Sequence, residues 1–521
     1  MKSRNVFHSL IILATLTVVG CPSPPPELPA GPWVHWLRFA QASDMHITDD
    51  ESPARGVRIE PLVTEAWRPQ EAYTTQVLDA TVRALNEYHA AGQKSGLPLD
   101  FVLFTGDVAE DAQLNELRWF IDTVDGQWVT PDSGVLDGMW RPVLPEDNPK
   151  LGFQATGLAP DIPWYVVFGN HDAHMLGTFA VDRSDPDPAE WWAPLLWPLP
   201  NLVGLQNLEP PSDGLPPTAD QSPAVITGDW DVADPETLAL LFGDLHAGPI
   251  AADPDRQFVS RKRFMKEFFQ TWSEPLGHGF AEANCRLGHA WYSVRPMPAI
   301  PVRVIVLDTV APDPPFRAPM HYGVMIYEQF NGFLKPEIEA ARDAGEYVLI
   351  VSHHPSSDFV LPYWRPTVDK QTFNVYLASQ PHIIAHICGH NHRNQVTWIQ
   401  GEYPYPEIET ASLIDYPQEV RVFDIYHSPD TGAIRVECVT LSHMVNPTRL
   451  SEESYRRAVV DTGPAKAAQA APLIVDDTFG EPAIEWPVSA PTRTERLGQS
   501  SDRYFSFELV RPQLKRQTAT Q

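Results

Sequence analysis

Five short clusters in this chain carry side chains that could do chemistry: Asp44-Met45-His46, Gly106-Asp107, Gly169-Asn170-His171-Asp172, His353-His354 and Gly389-His390-Asn391-His392. They supply carboxylate, imidazole and amide groups, with almost no thiolate nearby, which is the ligand chemistry of hard and borderline divalent cations. Two such ions about 3.5–4 Å apart need a bridging group, and a carboxylate with its two oxygens suits that role. Asp107 is the candidate bridge. Asp44 and His46, two apart, can chelate one ion side by side, and His390 and His392 have the same spacing and could split between two ions. Asn170 offers a neutral carbonyl oxygen, which limits negative charge where an anion must enter. His353 would complete the second ion. His171 follows a ligand and precedes Asp172, a carboxylate that could orient its ring as carboxylates orient catalytic imidazoles; the plainer alternative is an imidazole that only supports the ligands. A lone Asp-x-His or Gly-Asp means little in 521 residues. All five in order, each after an apolar run, point to a metal site.

The elements that must position them are legible. Residues 36–43, 101–105, 164–168 and 347–352 read as strands, and each leads directly into a cluster. The shorter apolar run 383–388 leads into Gly389, and 302–307 is a further strand candidate ending in Asp308-Thr309. Leu78, Val82 and Leu85 fall on one face of a helix expected to stop at Gly92. Residues 114–124 look helical, as do 334–344, with Pro336 in the first turn and Gly345 as the stop. Strand-helix alternation with reactive residues at strand ends is the layout of an α/β enzyme whose site lies outside the carboxyl edge of its sheet.

The series Asp-x-His, Gly-Asp, Gly-Asn-His-Asp, His and Gly-His-x-His, over roughly residues 35–395, resembles the calcineurin-like metallophosphoesterases. The resemblance implies an α/β (α+β) fold, a four-layer β-sandwich flanked by helices, with long insertions and a C-terminal extension; residues 408–417 and 420–425 would supply its second sheet. It implies that Asp44, His46 and His392 hold a first metal with bridging Asp107, and that Asn170, His353 and His390 hold a second. The choice of His353 over His354 rests on the family's His-x-Pro pattern, with Pro355 in register; His354 is left between a supporting role and a substrate contact. In this family the residue matching His171 meets substrate phosphate and protonates the leaving oxygen. The implied cofactors are two divalent ions (Mn, Fe or Zn), and the implied reaction is attack of a metal-bridging hydroxide on phosphorus. Val108-Ala109-Glu110-Asp111 follows Gly106-Asp107, with neither the tyrosine of purple acid phosphatases nor the Asp-Arg-Gly of Ser/Thr phosphatases. The pattern is closest to the bacterial cyclic-nucleotide and glycerophosphodiester hydrolases, so a phosphodiesterase is expected. The alternatives are a phosphomonoesterase or nucleotidase of the same fold and, less favoured, a non-catalytic envelope-binding lipoprotein.

Composition sets the surroundings. A hydrophobic fraction of 43% suits a globular protein. The 53 prolines against 30 glycines imply long, stiffened connections. Lys2, Arg4 and the apolar run 10–19 read as a signal segment too short to span a bilayer comfortably. Val18-Val19-Gly20-Cys21 resembles the lipobox of bacterial lipoproteins, which predicts an exported protein held on a membrane through acylated Cys21, with 1–20 removed and 21–32 as a Pro-rich tether. The metallophosphoesterase domain is then 33–445, with an insertion over about 173–300, and 446–521 is an extension packed on it. A formal charge of −29 disfavours nucleic acid as a partner and leaves a small phosphorylated substrate. Arg256, Arg261, Lys262, Arg263 and Lys266 are expected on one helix, with a solvated face favoured over a phosphate clamp. Gly243-Asp244-Leu245-His246 and Gly277-His278-Gly279 imitate site motifs out of order and are read as loops. Cys285, Cys388 and Cys438 allow one disulfide or buried free thiols.

Overall fold

Two six-stranded sheets face each other, and the five clusters leave the same end of both. The computed structural model describes residues 33–52, 68–134, 147–180, 253–311, 321–362, 365–462, 474–475, 484–485 and 492–511. The chain divides into Met1–Gly31 and Pro32–Gln521. The first unit lies outside the described residues, and with it the expected signal segment and Cys21; so do the whole tether and Gly243-Asp244-Leu245-His246.

In chain order the elements that matter are β1 (Val34–Ala42), α1 (Thr74–Ser95), β2 (Phe101–Phe104), α2 (Leu114–Val124), β3 (Trp164–Val166), α3 (Arg261–Glu267), β4 (Tyr292–Val294) and β5 (Val302–Val306). They continue as α4 (Lys335–Ala344), β6 (Tyr347–Val351), α5 (Lys370–Ala378), β7 (Ile383–Cys388), β8 (Gln395–Ile399), β9 (Tyr405–Glu409), β10 (Glu419–His427), β11 (Ile434–Ser442), α6 (Arg449–Asp461) and β12 (Phe505–Leu509). The first sheet has the order β12-β11-β10-β1-β2-β3 and the second β8-β9-β7-β6-β5-β4. Parallel pairing joins β1 to β2 and β2 to β3, and likewise β5, β6, β7 and β9, so the carboxyl ends of these seven strands lie at matching edges.

Alternation explains the layering. Val302, Val304 and Val306 of β5 and Leu349 and Val351 of β6 join the core between the sheets. Their neighbours Ile305, Val348 and Ile350 point the other way, onto Ile338 of α4 and Phe373 and Leu377 of α5. Val82 and Leu85 of α1 and Phe120 and Ile121 of α2 pack into the core that holds β1–β3. The fold is the expected mixture of sheets flanked by helices.

Three expectations are corrected. Helix α1 runs through Gly92 and stops at Gly96, whose φ of 82° gives the left-handed cap. Gly92 is needed because the chain doubles back over it: a Cβ there would lie 2.2 Å from Leu97 O. The strand 420–425 belongs to the first sheet, not the second, since β10 pairs antiparallel with β1 (Phe39 opposite Phe423); only 405–409 enters the second sheet. The link 410–418 crosses between the sheets, with Thr410 Oγ1 on Gln41 Oε1 at 2.6 Å. Arg256 lies outside helix α3, which begins after its Ser260 N-cap, and its guanidinium is buried against Asp49 at 2.9 Å. Among the described cysteines, Cys285, Cys388 and Cys438 are free thiols. His278 is packed flat on Trp164, 3.3 Å between ring centroids, in the core. The described end of the chain adds β12 to the edge of the first sheet, beside β11.

Candidate metal centre

The strand ends bring the clusters together by hydrogen bonds within and across the two sheets. His353 Nδ1 meets Thr105 O at 2.9 Å, Asp44 N donates to Gly106 O at 3.1 Å, and His390 N donates to Asp44 Oδ2 at 3.0 Å. Asp44, His46, Asp107, His390 and His392 all have φ between 45° and 74°. This is a left-handed conformation that non-glycine residues adopt at a cost of order 1–3 kcal/mol each, and such strain concentrates at functional sites. Gly389 is required by closeness: a Cβ would fall 1.8 Å from Ser43 Oγ and 2.5 Å from Asp44 Oδ2.

Every metal-ligating residue expected from sequence reaches one buried cluster. On one side, Asp44, His46 and His392 present atoms within 4.8 Å of one another. His46 Nδ1 lies 2.5 Å from Glu110 Oε2, and His392 Nδ1 lies 2.6 Å from Asp415 Oδ2. Both Nδ1–H groups are therefore spent on carboxylates, and the two Nε2 atoms face each other at 3.0 Å. Two imidazole lone pairs so placed call for a shared cation.

On the other side, His353 spends its Nδ1–H on Thr105 O, so Nε2 turns its lone pair toward Asp107 Oδ2 and Asn170 Oδ1, both at 3.0 Å. The Asn170 amide is fixed with oxygen inward, because its Nδ2 donates to Gly177 O at 3.1 Å. The imidazole and these oxygens converge on one point, where a proton or a cation can sit. The electrostatics agree. Burial would lower the His353 imidazole, but Asp107 and Asp44 raise it to about 9. Burial would raise Asp44, but His392 and His353 bring it down to about 2. A field that holds a proton on a buried imidazole favours a divalent cation in the same place, so the donor set fits two ions.

His171 sits beside both groups, with its N donating to Asp107 Oδ1 at 2.8 Å and its ring edge-on to His46. Asp172 does not orient that ring, which corrects the sequence expectation. Its carboxyl group instead accepts from the N–H groups of Asp107, Val108, Ala109 and Gly169 at 2.8–3.0 Å, but burial and the Asp107 charge outweigh these donors and push it up to about 8. The His171 ring is held by Glu110 O, which takes Nδ1–H at 2.7 Å and leaves Nε2 for the site. His171 and His390 keep 13% of their side-chain surface exposed, while Asp44, His46, Asp107 and His353 keep 1% or less. His354 is buried, with Nδ1 on Thr309 Oγ1 at 2.8 Å and Nε2 on His321 O at 3.2 Å, so its ring supports the loop.

Gly177 lines the His171 ring. Its φ is 63°, and a Cβ would meet His171 Nε2 and Cδ2 at 2.2 Å. Gly177→Ala is expected to displace the imidazole, and with it the Asn170 amide 2.6 Å from that Cβ, and to cut turnover about 10²-fold. Equal turnover in the two proteins would show that the ring position does not matter.

Sequence reasoning missed the residues that hold the ligands: Glu110, Asp415, Arg68 and Arg496. Glu110 stood in view, three residues after Asp107. Asp415 lies in a segment expected to form a strand. Ser352, His386 and Glu407 look like a serine hydrolase triad, with Ser352 Oγ to His386 Nε2 at 2.7 Å and His386 Nδ1 to Glu407 Oε2 at 2.8 Å. All three are buried, and the Ser352 hydroxyl donates to His354 O, so they clamp the loop carrying His353.

Parts of this chain are similar to known proteins. Residues 37–209 match the Calcineurin-like phosphoesterase family. The match holds the first three clusters and supports metal-dependent phosphoester hydrolysis as the chemistry of the site. No curated protein matches the chain. Similar solved structures include a dimetal phosphatase from Danio rerio, 12% identical over 79% of this chain and 97% of that one, with a TM-score of 0.35. They also include the Thermus thermophilus sulfate thiohydrolase SoxB, 11% identical over 84% and 62% of the respective chains, at 0.31. A third is the Plasmodium protein GAP50, an anchor in the inner membrane complex, 12% identical over 82% and 95%, at 0.25.

Proposed function

We propose that this protein is a binuclear metal-dependent phosphodiesterase. The observation that carries the reading is the pair of convergent acceptor sets, His46 with His392 and His353 with Asp107 and Asn170, beside one partly exposed imidazole. Asp44, His46 and His392 would hold one ion, Asn170, His353 and His390 the other, and Asp107 would bridge. When bound, two divalent ions lower the pKa of water and neutralise charge on phosphoryl oxygens. The chain's own contribution is positioning and proton transfer. Backbone strain at the strand ends fixes the ligands, and Glu110 aligns His46 with its side chain and His171 with its carbonyl. With Nδ1–H held by that carbonyl, a protonated His171 Nε2 can give its proton to the departing alkoxide.

Charge favours a diester over a monoester. Among the described residues, the arginines around the site are committed to acids: Arg68 to Glu110 and Asp415, Arg261 to Asp308, Arg393 to Glu409 and Arg496 to Asp415. Among the described residues, a dianionic monoester would find no uncommitted guanidinium for its second charge, whereas a diester carries one charge. Membrane attachment through acylated Cys21 is part of the proposal and rests on Val18-Val19-Gly20-Cys21. No described helix is long and apolar enough to cross a membrane.

The test is to load the protein with Mn²⁺ or Zn²⁺ and compare a phosphodiester with a phosphomonoester. Diester turnover is expected to dominate. His171→Ala should lose about 10²–10⁴-fold on an alkyl diester and far less on a 4-nitrophenyl diester, whose leaving group needs no proton. No hydrolysis of either ester would end the hydrolase reading, and faster monoester turnover would reverse the substrate class.

A further inference from the structure

Beyond the ligands, the two imidazoles of the Asp44 side are each backed by a buried carboxylate, and the two carboxylates are joined. Asp415 is fully buried and accepts four contacts: His392 Nδ1 and Arg496 Nη1 on Oδ2, both at 2.6 Å, and Gln70 Nε2 at 3.1 Å and Arg68 Nε at 3.3 Å on Oδ1. Arg68 also reaches Glu110, Nη1 to Oε1 at 3.5 Å, and Glu110 holds His46. Both guanidinium groups are buried, with Arg68 2% and Arg496 5% exposed.

Arg496 arrives from far along the chain. It stands in the short helix Arg493–Leu497, whose Thr492 cap and Glu495 form a capping box. Its backbone O accepts from Asn394 N at 2.9 Å, two residues from His392. The same segment then anchors in both sheets. Strand β12 pairs with β11, Asp502 Oδ1 accepts from Val396 N at 3.1 Å, and Arg511 Nη2 donates to Ile383 O and Pro404 O. The segment is thus anchored at Arg496 and along the residues that follow it, and presents a fixed cation to Asp415.

We infer that Arg496 and Arg68 are positioning residues of the first metal site, so that the C-terminal segment 492–511 is a working part of that site. The inference rests on the two-metal reading above. A buried Asp415 without its cations would turn away from His392 toward another donor. With both cations in place, Asp415 Oδ2 is locked on His392 Nδ1, the Nε2 lone pair points at the ion position, and the imidazole is made a stronger donor. Arg68 extends the same lock to His46 through Glu110. The His353 side has its own support in Thr105 O and does not use either arginine.

The experiment is a titration of the metal-free full chain with Co²⁺, read by calorimetry and by the visible absorption of the bound ion. Wild type should show two binding steps, of which His392→Ala removes one and His353→Ala the other. Arg496→Met should weaken the His392-dependent step by about 10–100-fold, change its absorption spectrum, and leave the other step within about twofold. Arg496→Lys should recover most of the loss. Asp415→Asn with Arg496→Met should be no worse than Asp415→Asn alone, because one acts through the other. Arg496→Gln removes the charge but keeps a hydrogen-bond donor for Asp415; should Arg496→Met fail to fold, its site-selective loss decides in the same way. Unchanged binding in these variants, or equal weakening of both steps, overturns the inference. Fewer than two Co²⁺ in wild type overturns the two-metal reading and this inference with it, whereas two Co²⁺ without ester hydrolysis removes only the catalytic reading.

Discussion

Asp107→Asn is expected to lower phosphodiester turnover by about 10³-fold or more, because the bridging charge contributes several kcal/mol. The variant should also bind at least one metal equivalent less. Asp107 is the group that reaches both halves of the site, with Oδ2 at 3.0 Å from His353 Nε2 and 3.8 Å from His46 Nε2. Asparagine keeps the shape and tolerates the φ of 51°, since short amide side chains visit the left-handed region more readily than most residues. The loss is therefore one of charge and of the second ligand oxygen. Stability of the metal-free form should fall as well. Burial would raise the Asp107 carboxyl, but His353 first and His171 next hold it well below the usual carboxylate range. A depressed folded pKa contributes stability at neutral pH, so the metal-free variant should unfold at lower urea than wild type. Turnover and metal content are measured on one preparation, with urea unfolding of the metal-free forms alongside. Full activity at reduced metal content would show that Asp107 is no bridge.

What could be read in the chain follows a physical line. Strands announce their ends, so the clusters after residues 42, 104, 166, 351 and 388 were legible, as was their common edge. Residue type then narrowed the chemistry. Contacts between distant segments leave no such trace. Arg496 meets Asp415 across 81 residues, and Glu110 meets His46 across 64, with no local pattern to mark either pair. Adjacency misled in one case: Asp172 follows His171, but the turn aims its carboxylate at the backbone of 107–109. Sheet membership of 420–425 was equally hidden, because a fully buried strand shows the same apolar run in either sheet. The helix stop at Gly96 rather than Gly92 turns on the chain's path after the helix, which composition does not state.

The basic cluster at 256–266 leads to the largest expected effect on stability. Arg256→Met should destabilise the protein by about 3–5 kcal/mol, the cost of stranding a buried charge. The Arg256 side chain is 1% exposed, and its Nε meets Asp49 Oδ2 at 2.9 Å, while Nη2 bonds Ser133 Oγ. Asp49 in turn accepts from Asn115 Nδ2 at 2.7 Å and Ser133 Oγ at 2.7 Å, which ties the segment after β1 to α2 and to the end of the long insertion. The pH dependence fixes the mechanism. Burial would raise Asp49, but Arg256 first and Lys150 next hold it below the ordinary value. A depressed folded pKa contributes stability above the unfolded value of about 3.9, and that contribution is lost as pH falls through the folded pKa. In the variant the balance reverses: Asp49 ionised at neutral pH has lost its main partner, and protonation relieves it. The gap between wild type and Arg256→Met in urea unfolding should be widest near about pH 7 and close as pH drops toward about 4. Asp49→Asn in the same background should recover part of the loss at neutral pH, since no charge is then stranded. A gap that stays constant across that range would assign the effect to lost packing of the Arg256 stem instead of to its charge.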